Sequence, residues 1–426
     1  MHGKSHSHSP IFGISWSPAN TAVTALLTIL ILTLTAQAQT FSVIHNFTGG
    51  ADGAGPFAGV TIAPSGVLYG TAAGGGTGGT GNGTVFKMAR HGSSWTFDPL
   101  YEFTGASDGG TPYGGVVIGP NGALYGTTYG GGLGGGTAYE LRPSPSFCRA
   151  VECYWNERVL HAFTFTGLPG TGPLYENLIF DHAGNIYGTT TFGGIYGLGT
   201  VFELSPSGGE YTESILHNFG SGLDGQTPYS GVIFDAAGNL YGNTVAGGTE
   251  EGTVYQLIPS GGAWVENILA NLGDNTGHPP EGTLIFDQSG NLFGTGFNFG
   301  PGGGGTVYEL AHGNWVFSLP YYWGSNPACY PQAGLTLGAD GNLYGVCSYG
   351  GSNDDGWVFK LTNSNGMWTI TDLHDFDGSD GIEPAGAVAF DASGNLFGTC
   401  VEGGNTNCSG FGCGTVWEMT GVIGRE

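Results

Sequence analysis

The sequence predicts an all-β fold, a seven-bladed β-propeller of four-stranded antiparallel blades, and three observations carry that reading. A Gly-x-Leu-Tyr-Gly motif recurs seven times, a Gly-Thr-Val-aromatic motif follows it, and the two chain ends supply complementary parts of one blade.

The first motif reads Gly66-Val-Leu-Tyr-Gly70, Gly122-Ala-Leu-Tyr-Gly126, Gly184-Asn-Ile-Tyr-Gly188, Gly238-Asn-Leu-Tyr-Gly242, Gly290-Asn-Leu-Phe-Gly294, Gly341-Asn-Leu-Tyr-Gly345 and Gly394-Asn-Leu-Phe-Gly398. Successive final glycines stand 51 to 62 residues apart. That period is what four short strands and their turns occupy in a propeller blade. An apolar run ahead of each copy, such as Gly231-Val-Ile-Phe-Asp235, joins it through a tight hairpin whose Asp and Gly suit the turn. These runs are strands A and B. The second motif, from Gly83-Thr-Val-Phe-Lys-Met88 to Gly414-Thr-Val-Trp-Glu-Met419, is β-branched, aromatic and bounded by Gly, and reads as strand C. Strand D starts near an aromatic residue and ends in Leu-His-x-Phe or a relative of it, as across 368–376.

The chain ends decide between a ring and an open solenoid. The segment Phe41-Ser-Val-Ile-His-Asn-Phe47 has the form of strand D, whereas the last repeat stops after strand C at Met419. A ring uses that offset, because the N-terminal strand completes the last blade and no terminal sheet edge is left open.

Composition agrees. The 426 residues include 86 Gly, but 13% aromatic content argues against disorder, and the glycines lack the strict period of collagen. A net charge of −25, with eight Lys and Arg that form no patch, excludes nucleic acid as a partner. Residues 1–38 read as a signal peptide. Lys4 precedes an apolar run across 22–35, too short to span a bilayer, and Ala36-Gln37-Ala38 resembles a cleavage site. Residues 39–426 are then a single propeller domain, secreted or periplasmic, monomeric and without a membrane span. Seven cysteines follow the leader, and in an exported chain Cys148 with Cys153, Cys329 with Cys347, and Cys408 with Cys413 are disulfide candidates. The odd count leaves at least one thiol unpaired or intermolecular, and no CxxC pattern points to zinc.

The run His217-Asn-Phe-Gly through Gly225-Gln-Thr-Pro-Tyr, Ile233-Phe-Asp, Gly238-Asn-Leu-Tyr-Gly and Gly252-Thr-Val-Tyr-Gln-Leu resembles the GloVer tandem repeat of exported bacterial proteins. The resemblance covers essentially residues 41–419. It implies export and names no reaction. Members carry varied C-terminal surface-sorting tails, and no such tail follows Met419, so surface anchoring is not implied.

Candidate sites lie where the repeat is broken. Strand A is expected nearest the axis, with Ala58, Gly114, Glu176, Ser230, Gly282, Ala333 and Gly386 just inside the channel mouth. Glu176, followed by Asn177, interrupts this small-residue row. It is a ligand or acid/base candidate, beside the plainer reading of a solvated side chain filling the mouth. Asp52, Asp108, Asp224 and Asp380 precede Gly in D-to-A loops on the same face. They read first as turn formers and second as a carboxylate ring for Ca²⁺ or a polyhydroxylated ligand. His45, His161, His217 and His374 share one position of strand D in different blades, too far apart to share a metal, and read as packing residues. Trp95, Trp155, Trp264, Trp315 and Trp368 read likewise. In the loop towards the sixth blade, Tyr321, Tyr322, Trp323 and Tyr330 are candidates for stacking on sugars or for packing the loop down.

No catalytic or phosphate-binding signature is present. The expected function is an exported non-catalytic binding propeller for a glycan or an extracellular protein, without a cofactor. The competing expectation is a propeller hydrolase, lactonase or lyase with a carboxylate or Ca²⁺ site at the channel mouth, in which Glu176 is catalytic.

Overall fold

Alternating apolar residues and glycine-rich turns produce strands and no helix in the described residues. The structure is a computed structural model describing residues 39–76, 81–144, 155–164, 170–175, 177–220, 222–404, 408 and 410–423. The signal-peptide segment 1–38, the Cys148–Cys153 pair and Glu176 lie outside them. Among the described residues no helix is long and apolar enough to cross a membrane.

Seven four-stranded antiparallel sheets follow the order A-B-C-D. Blade 1 comprises Thr61–Ile62, Leu68–Ala72, Thr84–His91 and Ser94–Glu102, and blade 2 Val117–Ile118, Leu124–Thr128, Gly134–Arg142 and Asn156–Thr164. Blade 3 comprises Ile179–Phe180, Ile186–Thr190, Thr200–Ser207 and Glu210–Asn218, and blade 4 Ile233–Phe234, Leu240–Thr244, Thr253–Ser260 and Ala263–Asn271. Blade 5 comprises Ile285–Phe286, Leu292–Gly296, Gly303–Leu310 and Phe317–Gly324, and blade 6 Thr336–Leu337, Leu343–Cys347, Trp357–Ser364 and Met367–Asp375. Blade 7 takes Ala389–Phe390, Leu396–Cys400 and Thr415–Thr420 from the C-terminal end, and its strand D is Thr40–Asn46. The N-terminal strand closes the ring, as the offset of the ends predicts.

Both glycines of the first motif have a physical cause. Gly238, at the A-to-B turn, has φ +85, a conformation in which a side chain is strained. Gly242 is conformationally ordinary, but a Cβ there would stand 2.3 Å from the Tyr255 hydroxyl. The aromatic residue of strand C therefore lies over the second glycine of strand B, which ties the two sequence motifs together. Asp235 fixes the turn. Its Oδ1 accepts from the Ala237 and Asn239 amides at 2.8 and 2.9 Å, and its Oδ2 from Asn239 Nδ2 and the Tyr241 hydroxyl at 2.7 and 3.0 Å. Burial alone would raise this carboxyl, yet the hydrogen bonds outweigh it and hold the group below the usual range.

The core consists of seams between blades. One apolar cluster joins Tyr187, Val201 and Phe219 of the blade 3 side to Leu240, Tyr255 and Leu257 of blade 4. Among the described residues there are seven such clusters, and one joins Phe47, Val416 and Phe397 to Leu68, Phe86 and Met88, sealing blade 7 to blade 1. An open array lacks that seventh seam. Polar fasteners accompany the seams near the axis. The strand B hydroxyls of Thr71, Thr295 and Thr399 donate to the Gly114, Ala333 and Ala58 carbonyls of the next blade at 2.9, 3.0 and 2.9 Å.

The predicted disulfides Cys329–Cys347 and Cys408–Cys413 are formed, and among the described residues Cys400 is the free cysteine, buried in strand B.

Candidate functional site

The strand A segments converge on the axis because their residues are small. A Cβ on Gly59 would lie 1.9 Å from the Ala387 carbonyl oxygen, and one on Gly231 2.6 Å from that of Asn177. Adjacent blades thus meet backbone to backbone around a cavity of about 230 Å³. The D-to-A and B-to-C loops crowd the same face, paired in short ladders such as Gly225–Gln226 with Ala246–Gly247. This is the face on which the sequence places the candidate residues.

The ring lining the mouth begins one residue before the small-residue row. It comprises Phe57, Tyr113, Tyr175, Tyr229, Glu281, Gln332 and Ala385, of which all but Tyr229 line the cavity. Four consecutive aromatics form a crescent. Ring centroids are 5.0 Å apart for Phe57 and Tyr113, 5.5 Å for Tyr113 and Tyr175, and 6.3 Å for Tyr175 and Tyr229. Tyr129 extends it, 5.8 Å from Tyr113. Burial, reinforced by nearby Tyr113 and Glu281, keeps the Tyr175 phenol protonated far above its ordinary value.

Across the mouth stands the polar part of the ring. Burial pushes the Glu281 carboxyl up to about 7, with the Gln332 amide partly offsetting it. Glu281 Oε2 and Gln332 Oε1 are buried atoms without a hydrogen-bond partner among the described residues. Beyond them Tyr349 donates to Glu383 at 3.1 Å. The mouth is therefore an apolar arc facing unsatisfied polar atoms.

Sequence reasoning passed over this ring because it sought exceptions within the small row. A signal was available in the proline that precedes most of these residues, as in Pro56-Phe57, Pro112-Tyr113, Pro228-Tyr229, Pro280-Glu281 and Pro331-Gln332. Each such proline abuts the glycine that opens strand C of the preceding blade, Pro112 at 2.6 Å from a Cβ on Gly83. The next side chain is thereby delivered to the mouth.

Of the predicted site residues, Asn177 lines the cavity and its Oδ1 accepts from the Gly115 amide at 3.0 Å, bridging two blades. The four loop aspartates do not converge on it. Asp52 accepts from the Thr48 amide and hydroxyl at 2.9 and 2.6 Å. Asp108 does the same for Thr104, and Asp224 accepts from the Gly220 amide at 2.6 Å. Asp380 accepts from the Asp377 amide at 2.9 Å. Each aspartate closes its own loop, and each also joins the preceding strand D. His45 lies 3.3 Å from Asp52, His217 3.3 Å from Asp224 and His374 2.8 Å from Asp380, while the Tyr101 hydroxyl donates to Asp108 at 3.1 Å. The histidines and aspartates, separate patterns in the sequence, are one local pairing. His161 has no loop aspartate and instead faces Glu213 at 3.6 Å.

The segment from Tyr321 is not a loop, because strand D of blade 5 extends through Gly324. Period-2 alternation turns Trp323 inwards to 4% exposure and leaves Tyr322 outside at 51%. Tyr321 packs on the seam between blades 5 and 6. Tyr330 lies farther on, against Phe297 and Tyr349 with centroids at 5.6 and 6.1 Å. The four aromatics thus form no common platform.

A family profile described as Gloeobacter/Verrucomicrobia repeat matches residues 30–156 and 173–417. No curated protein matches the sequence. Among solved structures, the extracellular domain of a provisionally assigned one-component system from B. thetaiotaomicron is 11% identical with a TM-score of 0.53, covering 92% of this chain and 43% of its own. A provisionally assigned 6-phosphogluconolactonase from Bacteroides uniformis is 14% identical with a TM-score of 0.47, covering 76% of this chain and 85% of its own. A provisionally assigned glucose dehydrogenase from Thermus thermophilus is 16% identical with a TM-score of 0.44, covering 72% and 96%. Likeness at such identities concerns the fold.

Proposed function

The chain belongs to the Gloeobacter/Verrucomicrobia repeat family, and from that premise we propose that it is an exported, non-catalytic propeller that seats a neutral glycan at its channel mouth. The observation that carries this reading is the crescent of Phe57, Tyr113, Tyr175 and Tyr229 opposite Glu281 and Gln332. Sugar rings present apolar C–H faces and polar hydroxyl edges. The crescent offers surface for the faces, and the unpartnered oxygens of Glu281 and Gln332 accept from the edges. A chain of net charge −25 repels anionic sugars, so the ligand is neutral. Two disulfides support an oxidising compartment and hence export.

One observation favours the enzymatic reading. A carboxyl pushed up to about 7 is suited to proton transfer, and Glu281 is such a group. It is the single carboxylate among the described cavity-lining residues, whereas hydrolytic acid–base pairs need two.

A glycan array probed with the protein, followed by calorimetry on the best ligand, tests the proposal. Tyr175→Ala is expected to weaken binding about fivefold, since loss of one aromatic contact is worth roughly 1 kcal/mol and 1.4 kcal/mol is a factor of ten. Tyr322→Ala, on the outer strand of blade 5, is expected to leave it unchanged. Binding that ignores Tyr175→Ala sinks the proposal, and turnover of a lactone or glycoside abolished by Glu281→Gln replaces it with the enzyme.

A further inference from the structure

The repeat contains its own control for a second site. Where strand D pairs with strand C, the partner of the Met88, Leu310 and Leu361 position is Phe97, Phe317 or Ile370 in blades 1, 5 and 6. The partner in blades 2, 3 and 4 is a glutamate, at Glu157, Glu213 and Glu266. Side chains at this position reach the D strand of the preceding blade. At the seam of blades 7 and 1, Phe97 stacks on His45 at 4.0 Å and completes a His–Asp–aromatic arrangement with Asp52. At the seam of blades 3 and 4 the histidine and aspartate remain, but Glu266 replaces the aromatic lid.

We infer that His217, Asp224 and Glu266 form a binding site for a divalent transition-metal ion, zinc being the best fit. Their ligand atoms all lie within 4.8 Å of one another. His217 Nε2 is 3.3 Å from Asp224 Oδ1 and 3.7 Å from Glu266 Oε1. Ligands held tetrahedrally about 2.0–2.1 Å from zinc stand roughly 3.4 Å from one another, so the trio needs only small adjustments around an ion. Glu266 Oε1 is buried with no hydrogen-bond partner among the described residues. The five described Lys and Arg side chains are engaged elsewhere, in pairs such as Lys87 with Asp98 and Lys360 with Asp340. Two desolvated carboxylates thus face one imidazole with no lysine or arginine to compensate them, an arrangement that a divalent ion satisfies. Exposures of 17%, 21% and 15% leave an entry path and room for a water as fourth ligand. Imidazole suits zinc and its transition-metal neighbours, whereas calcium needs six to eight oxygens.

The neighbouring seam supplies the two-donor comparison, His161 with Glu213 and no loop aspartate. Titration of the full chain with Zn²⁺, and with Co²⁺ for its visible spectrum, tests the assignment. Glu266→Phe restores the side chain that blades 1 and 5 carry, so it is expected to keep the metal-free melting temperature. It should lose one equivalent of bound Zn²⁺, the melting shift on adding Zn²⁺ and the tetrahedral Co²⁺ band. Glu266→Gln should lose the same equivalent, and Glu213→Phe should retain it. His2, His6 and His8 give a background common to every variant, so the difference is what is read. Undiminished stoichiometry in Glu266→Phe or Glu266→Gln overturns the assignment, as does the absence of a melting shift in the unaltered chain or loss of the same equivalent in Glu213→Phe.

Discussion

Single residues carry most of the chemistry that the repeat does not dictate. Glu157 is an example, a carboxyl pushed up to about 7 by burial and then by the nearby Asp108 charge. A carboxyl raised in the folded state binds its proton more tightly there than in the unfolded chain. Its cost is absent where both states are protonated, grows as pH rises from the ordinary carboxyl value, 4.5, towards 7, and is constant above that. Glu157→Gln is therefore expected to melt above the unaltered protein at pH 8 and together with it at pH 4, as followed by calorimetry. An equal offset at both values would mean that packing, not charge, sets the difference. None of this was legible from sequence, because Glu157 acquires its charged neighbour Asp108 from the D-to-A loop that follows another blade.

At the scale of elements the sequence was more transparent. Turn glycines, the Asp of the A-to-B hairpin and the strand C motif act within a few residues of one another, so their pattern is local. The strand B glycine shows where local reading stops. Its need for hydrogen as a side chain comes from the strand C aromatic, a partner separated by a long loop, as Gly242 is from Tyr255. Gly242→Ala is expected to cost about 1–3 kcal/mol by overpacking against a fully buried ring, measured by denaturant unfolding. A neutral result would show that Tyr255 yields freely. The mouth aromatics escaped for a related reason: each belongs to a different blade, and only the ring assembles them. Tyr322 and Trp323 misled in the opposite direction, since adjacency in sequence looked like a cluster while strand alternation sent one to solvent and the other into the seam.

For the whole molecule, closure is the governing property. Strand Thr40–Asn46 contributes to two seams, with Phe41 packed against the cluster between blades 6 and 7 and Ile44 against the one between blades 7 and 1, in which Phe47, just past the strand, is buried. Removing residues 1–47 opens strand C of blade 7 and uncovers both seams. The expected outcome is loss of a single cooperative melting transition, checked by calorimetry, and a sharp transition near that of the full chain would contradict it. The closing strand also sets the timetable of the protein's birth. Within the propeller, Thr40–Asn46 is made before every other strand and is the last to find its place, since its partner Thr415–Thr420 is synthesised after the other six blades. Throughout that interval an apolar strand and an incomplete ring coexist, a state prone to pairing with neighbouring chains. Mutual repulsion at −25 charges then protects the unfinished chains at least as much as the finished one.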